Sequence, residues 1–171
     1  MKNILVPAEF AHPLFYREGD EMDIKEELSI KDASSFPFIF DMYHYKQMQF
    51  NIKPWSRKDE YVKEIINLWK EKQTAISFVH KERNKEQIMK ETPGAIALYI
   101  SYLFWINGTP VSKLNDLQSE LEKLAWKPAN VTERISFILN KPYLYHSFVQ
   151  LNQLFTETEK LYVKVKIKEK S

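Results

Sequence analysis

One apolar segment, residues 92–108 (TPGAIALYISYLFWING), limits what this chain can fold into. Its middle is apolar on almost every face, and a helix of that kind is buried among other elements. Thr92 is predicted to cap the helix, Pro93 to take its first position, and Gly108 to end it in a left-handed turn. A helix over about residues 93–107 would be roughly 21 Å long, too short to span a bilayer. The segment therefore predicts an all-α fold around a buried central helix.

The composition narrows the chemistry open to this chain. It has three glycines in 171 residues, which disfavours long β-hairpins and phosphate-binding loops. It has no cysteine, which excludes disulfides, thiolate metal sites and cysteine nucleophiles. The start of the chain lacks a secretory signal pattern. Together these features indicate a cytoplasmic protein with no membrane insertion.

Charge divides the chain into an acidic arm and a mildly basic body. Residues 1–35 hold eight acidic and four basic side chains, a sum of −4, so the remainder of a chain with net charge +2 sums to +6. We expect residues 1–34 to form an extended N-terminal arm that is attracted to the body, and residues 35–171 to form a single helical domain. The predicted apolar anchors of the arm are Phe10, Leu14 and Phe15.

Helical spacing of apolar residues predicts a compact bundle of about six helices in the body. Ser35 is predicted to cap a helix that runs to about residue 49, and Ser56 to cap the next one. A helix after Ser112 and a short helix capped by Asn130 with Glu133 follow the central helix, and the last helix is predicted to open at residue 142. The charged stretch 80–91 is left open between a solvated helix and a loop.

No residue pattern in the sequence points to catalysis or to a metal. The four histidines lack ligand spacings such as HxxxH, so surface or half-buried imidazoles are expected. No nucleophile elbow is present, although catalytic triads are also assembled from residues far apart in sequence. We expect no cofactor and no metal, and an enzyme of unrecognised type stays open.

Basic and aromatic residues give candidates for an interaction surface. Lysines crowd the C-terminal end and a second basic set follows residue 56, but acidic residues interleave with both, as on an ordinary solvated face. Aromatic side chains can line a groove, although most pack in cores. The candidate interaction residues are Arg57, Lys58, Tyr145, Lys160, Lys164, Lys166 and Lys168.

Several short motifs in the body resemble a known family. They are LFWIN at 103–107, KPANVTER at 127–134 and KPYLY at 141–145, with QL at 150–151 and LF at 154–155. Over roughly residues 54–165 the chain resembles the YpoC-like proteins of Gram-positive bacilli. The resemblance implies no catalytic residues, because the family has no established chemistry. The genes of the family tend to lie near genes for replication, DNA repair and cell-wall synthesis, which is an association only.

These observations favour a non-catalytic protein-interaction module with an unidentified protein partner. The first alternative is a nucleic-acid-associated accessory protein in replication or repair, and the second is an enzyme. A homo-oligomer is also left open by the sequence.

Overall fold

A computed structural model describes residues 3–171 of the chain, which form seven α-helices and one two-stranded antiparallel sheet. The elements are β1 (Asn3–Leu5), β2 (Glu21–Asp23), α1 (Asp32–Ser35), α2 (Ile39–Tyr45), α3 (Lys58–Lys81), α4 (Lys85–Ile106), α5 (Leu117–Glu122), α6 (Val131–Asn140) and α7 (Tyr145–Lys170). The predicted all-α class is confirmed. Within the described part of the chain, no helix combines the length and apolar character needed to cross a membrane.

Helix α4 is the buried centre of the fold, as predicted. Every residue from 95 to 106 is at most 2% exposed. Gly108 follows the helix with a φ of 77°, which confirms the predicted left-handed turn. The burial of this segment was therefore predicted correctly from its apolar character on all faces.

The start of α4 was predicted wrongly. The helix begins at Lys85, where the Asn84 side chain accepts a hydrogen bond from the Gln87 N–H at 3.1 Å. Thr92 and Pro93 consequently lie inside the helix, and the Thr92 hydroxyl is buried with no partner among residues 3–171. The residues before Pro93 are strong helix formers with a cap of their own, so the helix extends upstream despite the hydrogen bond that proline cannot make. The stretch 80–91 thus contains the end of α3, a short turn at residues 82–84 and the start of α4.

The helix predicted from Ser35 to about residue 49 is shorter in the structure, because only α2, Ile39–Tyr45, lies in that range. Ser35 is the last residue of α1 rather than a cap. Pro37 forces the preceding Phe36 into an extended conformation, and Phe38 takes a left-handed backbone with a φ of 60°. A proline two residues after Ser35 therefore breaks the helix that apolar spacing alone predicted.

Two other predicted caps are also wrong. The Ser56 hydroxyl donates backwards to the Lys53 carbonyl at 2.8 Å, and α3 begins at Lys58 without a side-chain cap. Asn130 precedes α6 with a left-handed φ of 56° and makes no cap hydrogen bond. Asparagine tolerates a left-handed backbone better than most residues, which explains its occurrence at the turn before α6. Helix α7 begins at Tyr145, later than predicted, and stays helical to Lys170.

The N-terminal arm is held on the body by apolar contacts and main-chain hydrogen bonds. Phe10 is fully buried against Phe38, with 6.4 Å between the ring centroids, and the Leu114 N–H donates to the Glu9 carbonyl at 2.6 Å. Leu14 and Phe15 are partly buried against the same core. No ion pair within residues 3–171 joins the arm to the body, so the expected electrostatic attraction is not what fixes its position.

A buried carboxylate, that of Asp41, links α2 to α4 and to the loop that follows α4. The Trp105 indole N–H donates to its Oδ1 at 2.9 Å, the Val111 main-chain N–H donates to the same oxygen at 2.8 Å, and the Ser101 hydroxyl donates to Oδ2 at 3.2 Å. Burial raises the pKa of Asp41 to about 7, against the opposing effect of these three hydrogen bonds.

Helices α4 and α1 come into close backbone contact at Gly94. A Cβ atom placed on this residue would lie 2.6 Å from the carbonyl oxygen of Ser34, in α1. This distance is too short for any side chain, so glycine is required here by packing rather than by its backbone angles.

We predict that Gly94→Ala lowers the free energy of unfolding by about 1–3 kcal/mol, because the added methyl group displaces α1. In an exposed helix the same change would stabilise by up to about 1 kcal/mol, so the sign is diagnostic. Urea unfolding measures the change. The control is Glu86→Ala in the same helix, which removes an exposed ion pair with Lys90 and should change stability by about 0–1 kcal/mol. A more stable Gly94→Ala protein would contradict the close contact.

We predict that Asp41→Asn alters how stability depends on pH. The folded pKa of about 7 exceeds the unfolded value of 3.8, so the stabilisation from protonated Asp41 is complete below about pH 4 and is lost as pH rises through about 7. That loss is on the order of 4 kcal/mol. Asparagine keeps an acceptor for the two N–H donors and can donate to Ser101, so the variant should gain stability relative to the parent as pH rises. Unfolding of both proteins between about pH 4 and 8 tests this, and a constant difference would refute it.

Candidate interaction site

The candidate residues predicted from the sequence lie at two ends of one helix pair. Helices α3 and α7 run antiparallel, because Lys58 at the start of α3 pairs with Glu169 near the end of α7, whereas Gln73 further along α3 donates at 2.7 Å to Asn152 near the start of α7. Tyr145 is at the start of α7 and Lys166 is 21 residues further on, which corresponds to about 31 Å along the helix. The structure therefore does not bring Tyr145 together with the predicted basic residues.

Part of the basic charge at the far end of the pair is already neutralised. Arg57 lies 3.1 Å from the Glu60 carboxylate, and Lys58 is paired with Glu169. These four residues, with Ser56 and Asp59, line a polar depression of about 430 Å³. Arg57 and Lys58 are thus engaged in ion pairs and are weaker candidates than the sequence indicated.

Asp59 organises the rest of this end. The Tyr162 hydroxyl donates to Asp59 Oδ1 at 2.6 Å, and Lys166 Nζ is 3.9 Å from the same oxygen. The hydrogen bond from Tyr162, followed by the positive charges of the nearby lysines, lowers the pKa of Asp59. Lys166 therefore also faces a carboxylate that stays ionised at neutral pH.

Three other lysines, Lys160, Lys164 and Lys168, lie on one exposed face of α7 and make no ion pair within residues 3–171. Val163 and Ile167 lie on the same face and are 57% and 66% exposed. We call these five residues the lysine stripe. Their positions at spacings of three and four residues make one continuous surface with positive charge and some apolar area.

The other end of the pair carries an apolar surface. Phe78 near the end of α3 and Tyr145 at the start of α7 are each 62% exposed and border the same groove of about 500 Å³. We call this feature the aromatic groove. Its lining residues are Gln73, Thr74, Ser77, Phe78, Lys81, Tyr145, Phe148 and Asn152.

The aromatic groove is built on a packed ring system. The His80 ring stacks on buried Phe148 with 5.5 Å between centroids and meets the edge of Tyr145 at 5.4 Å. Burial lowers the pKa of His80, so this imidazole is neutral at pH 7. Nearby, the Lys85 ammonium lies 4.8 Å above the ring of Tyr143, another exposed aromatic. The groove thus presents neutral aromatic surface beside lysine ammonium groups.

Phe78 and His80 were missed as site residues at the sequence level. One signal was available for Phe78, because it falls outside the apolar stripe of α3 formed by Tyr61, Ile65, Leu68 and Ile76. A large aromatic side chain off the core-facing stripe of a helix indicates an exposed patch. His80 had no such signal, since its ring contacts come from α7.

No metal site is evident in the part of the chain that the structure describes. No group of three or more histidine, aspartate or glutamate residues there is arranged to hold an ion.

Comparison with known proteins gives a family but no solved structure. The model of the YpoC-like protein family matches residues 59–170. A protein of Bacillus subtilis (strain 168) named "Uncharacterized protein YpoC" is 32% identical over 134 residues, which cover 78% of this chain and 80% of that protein. No solved structure matches the chain. The family model covers most of the helical body and the relative extends over most of both chains, so this chain belongs to the YpoC-like family.

Proposed function

We propose that this chain is a non-catalytic, cytoplasmic protein-interaction module that binds its partner through the aromatic groove. The observation that carries the proposal is the pair Phe78 and Tyr145, which are both largely exposed and border one groove. Large aromatic side chains are costly to leave in water and are enriched among the residues that dominate binding energy at protein interfaces.

The chemistry of the groove favours a particular kind of partner segment. Its floor is the buried Phe148, and its walls include the Gln73 and Asn152 amides, which suit an apolar side chain within a hydrogen-bonding frame. Lys81 lines the groove, and Lys85 lies over the ring of Tyr143, two residues before Tyr145, so acidic residues on the partner would be attracted. We expect a segment with a large apolar side chain and acidic flanks.

A double variant, Phe78→Ser with Tyr145→Ser, should weaken partner binding by at least about 30-fold, because two exposed aromatic anchors are removed. Its melting temperature should stay near that of the parent, since neither side chain is buried. The partner would first be captured by the parent chain and identified by mass spectrometry, and its affinity for each purified variant would then be measured by calorimetry.

The matched control is Val163→Ser with Ile167→Ser, which removes two apolar side chains of similar exposure from the lysine stripe. Binding that survives the control and is lost in the groove variant supports the proposal. Binding that survives in both would place the interface elsewhere.

A second candidate function, nucleic-acid association, is favoured by one specific observation. Lys160, Lys164 and Lys168 share a face and make no ion pair within residues 3–171, so their charge is available to phosphates. The enzymatic alternative has no observation in its favour, and we do not propose it.

For nucleic-acid binding, we predict that changing Lys160, Lys164 and Lys168 together to glutamine reduces the salt dependence of binding to a single-stranded oligonucleotide. Each lost phosphate contact should reduce the slope of log K against log salt by about 0.7, or about 2 in total. Lys46, Lys70 and Lys90, changed together to glutamine, are exposed elsewhere and form the control. No binding by the parent at low salt would remove this candidate.

A further inference from the structure

The outer edge of β2, in the hairpin of the N-terminal arm, has no main-chain partner among residues 3–171. β1 and β2 are antiparallel, and Ile4 lies opposite Met22. Just beyond the strands, the Val6 N–H donates to the Asp20 carbonyl at 2.8 Å and the Val6 carbonyl accepts from Gly19 at 2.9 Å. Val6 therefore directs both main-chain groups toward the second half of the hairpin. The direction of the main-chain N–H and C=O groups alternates from one residue to the next along a strand. Ile4, two residues before Val6, therefore also directs its groups toward β2 and forms a hydrogen-bonded pair with Met22.

The alternation leaves the main-chain groups of Glu21 and Asp23 pointing away from β1. Their N–H and C=O groups make no hydrogen bond to another main-chain group outside the hairpin within residues 3–171. Such a row of unpaired groups is a template for a further strand. Natural proteins protect these edges with charge, and the exposed Glu21 and Asp23 carboxylates fit that role against acidic or neutral strands.

A crevice runs beside this edge. Side chains that only protect the edge from further strands would not require such a space. Its volume is about 410 Å³. It is lined by Tyr16, Glu21, Met22, Asp23, Lys25, Ser35, Phe36, Pro37 and Ile39. The lining thus combines the residues of the open edge with apolar side chains from the segment between α1 and α2. A space of this size is typical of pockets that accept ligand groups.

One polar group in the crevice lacks a partner. The Tyr16 hydroxyl is buried and makes no hydrogen bond within residues 3–171. Burial, and then the negative charge of Asp20, raise the pKa of Tyr16, so the hydroxyl keeps its proton and can donate. A buried polar group without a partner costs free energy, and a carbonyl oxygen that displaces the side chains covering this hydroxyl would offset that cost.

The negative charge at the edge favours an incoming strand with positively charged side chains. Lys25 also lines the crevice, but its ammonium is 2.5 Å from Asp32 and lies over the Phe36 ring. It therefore does not neutralise Glu21 and Asp23, whose side chains share the outer face of the hairpin.

We propose that β2 binds an extended segment of a partner protein in which basic and apolar residues alternate, so that the segment adds a third strand to the arm. Main-chain hydrogen bonds to Glu21 and Asp23 would hold the strand, in the manner of other strand additions. Successive side chains of the strand point to opposite faces. Its basic residues would therefore meet the two carboxylates, and its apolar residues would enter the crevice.

The chain itself contains this alternation at residues 163–168, but they are not the occupant. In the folded protein they belong to α7, where Val165 is buried in the core. The proposal concerns a surface separate from the aromatic groove, so either one can fail without the other.

The test uses the full chain and a short, end-capped, fluorescent peptide in which lysine and valine alternate. We expect binding of this probe in fluorescence anisotropy, with slowed hydrogen exchange of the Glu21 and Asp23 amides. A peptide of alternating glutamate and valine should not bind. A lysine–valine peptide that is N-methylated at alternate residues should bind at least tenfold more weakly, because it cannot donate to the strand edge.

Variants of the protein locate the site. Glu21→Lys with Asp23→Lys should weaken binding of the lysine–valine peptide at least tenfold, whereas Glu26→Lys with Glu27→Lys makes the same charge change outside the crevice and should weaken it much less. Tyr16→Phe should weaken binding several-fold without loss of melting temperature. Equal binding of the N-methylated peptide, unchanged exchange of the two amides, or equal effects of the two charge reversals would each overturn the proposal.

Discussion

The hydrogen bonds to the buried carboxylate of Asp41 are the interaction on which the helix arrangement depends. A carboxylate with no cation beside it is costly in a protein interior, and the donors from Trp105, Ser101 and Val111 make its position tolerable. Because the acceptor is in α2 and the donors are in α4 and the loop that follows it, one group fixes three segments. The arm depends on the same helix, since the Lys25 N–H donates to the Tyr43 hydroxyl of α2.

The parts of the fold that followed from the sequence are those decided by large amounts of apolar area. A segment that is apolar on all faces has no solvated position, so the burial of residues 95–106 needed no knowledge of its neighbours. Cap residues express local preferences of about 1 kcal/mol, which neighbouring residues readily outweigh. Thr92 does not cap α4, because the helix-forming residues before it extend the helix to Lys85. Asn130 adopts a left-handed turn and does not cap α6 with its side chain.

The candidate site could be predicted from the sequence only in part, for a different reason. Tyr145 could be selected because it is aromatic and near a helix start, but its neighbours Phe78 and His80 come from a helix about 65 residues earlier. Likewise, the sequence shows which residues are lysines but not which of them are paired. Lys58 is neutralised by Glu169, 111 residues away, while Lys160 has no such partner within the described residues. Contacts over such separations are products of the fold and leave no local pattern.

The contact between Glu9 and Leu114 has a consequence for the synthesis of the protein. Leu114 is made 105 residues after Glu9, which at typical translation rates is a delay of roughly 5–20 s. During part of that interval α2 has already been made, but the segment that contains Leu114 has not. Although the arm precedes the body on the ribosome, its native contacts cannot be complete until residue 114 has been made. The aromatic partners of its phenylalanines, Phe38 and Tyr45, are made early, whereas the main-chain hydrogen bond to Glu9 must wait for Leu114.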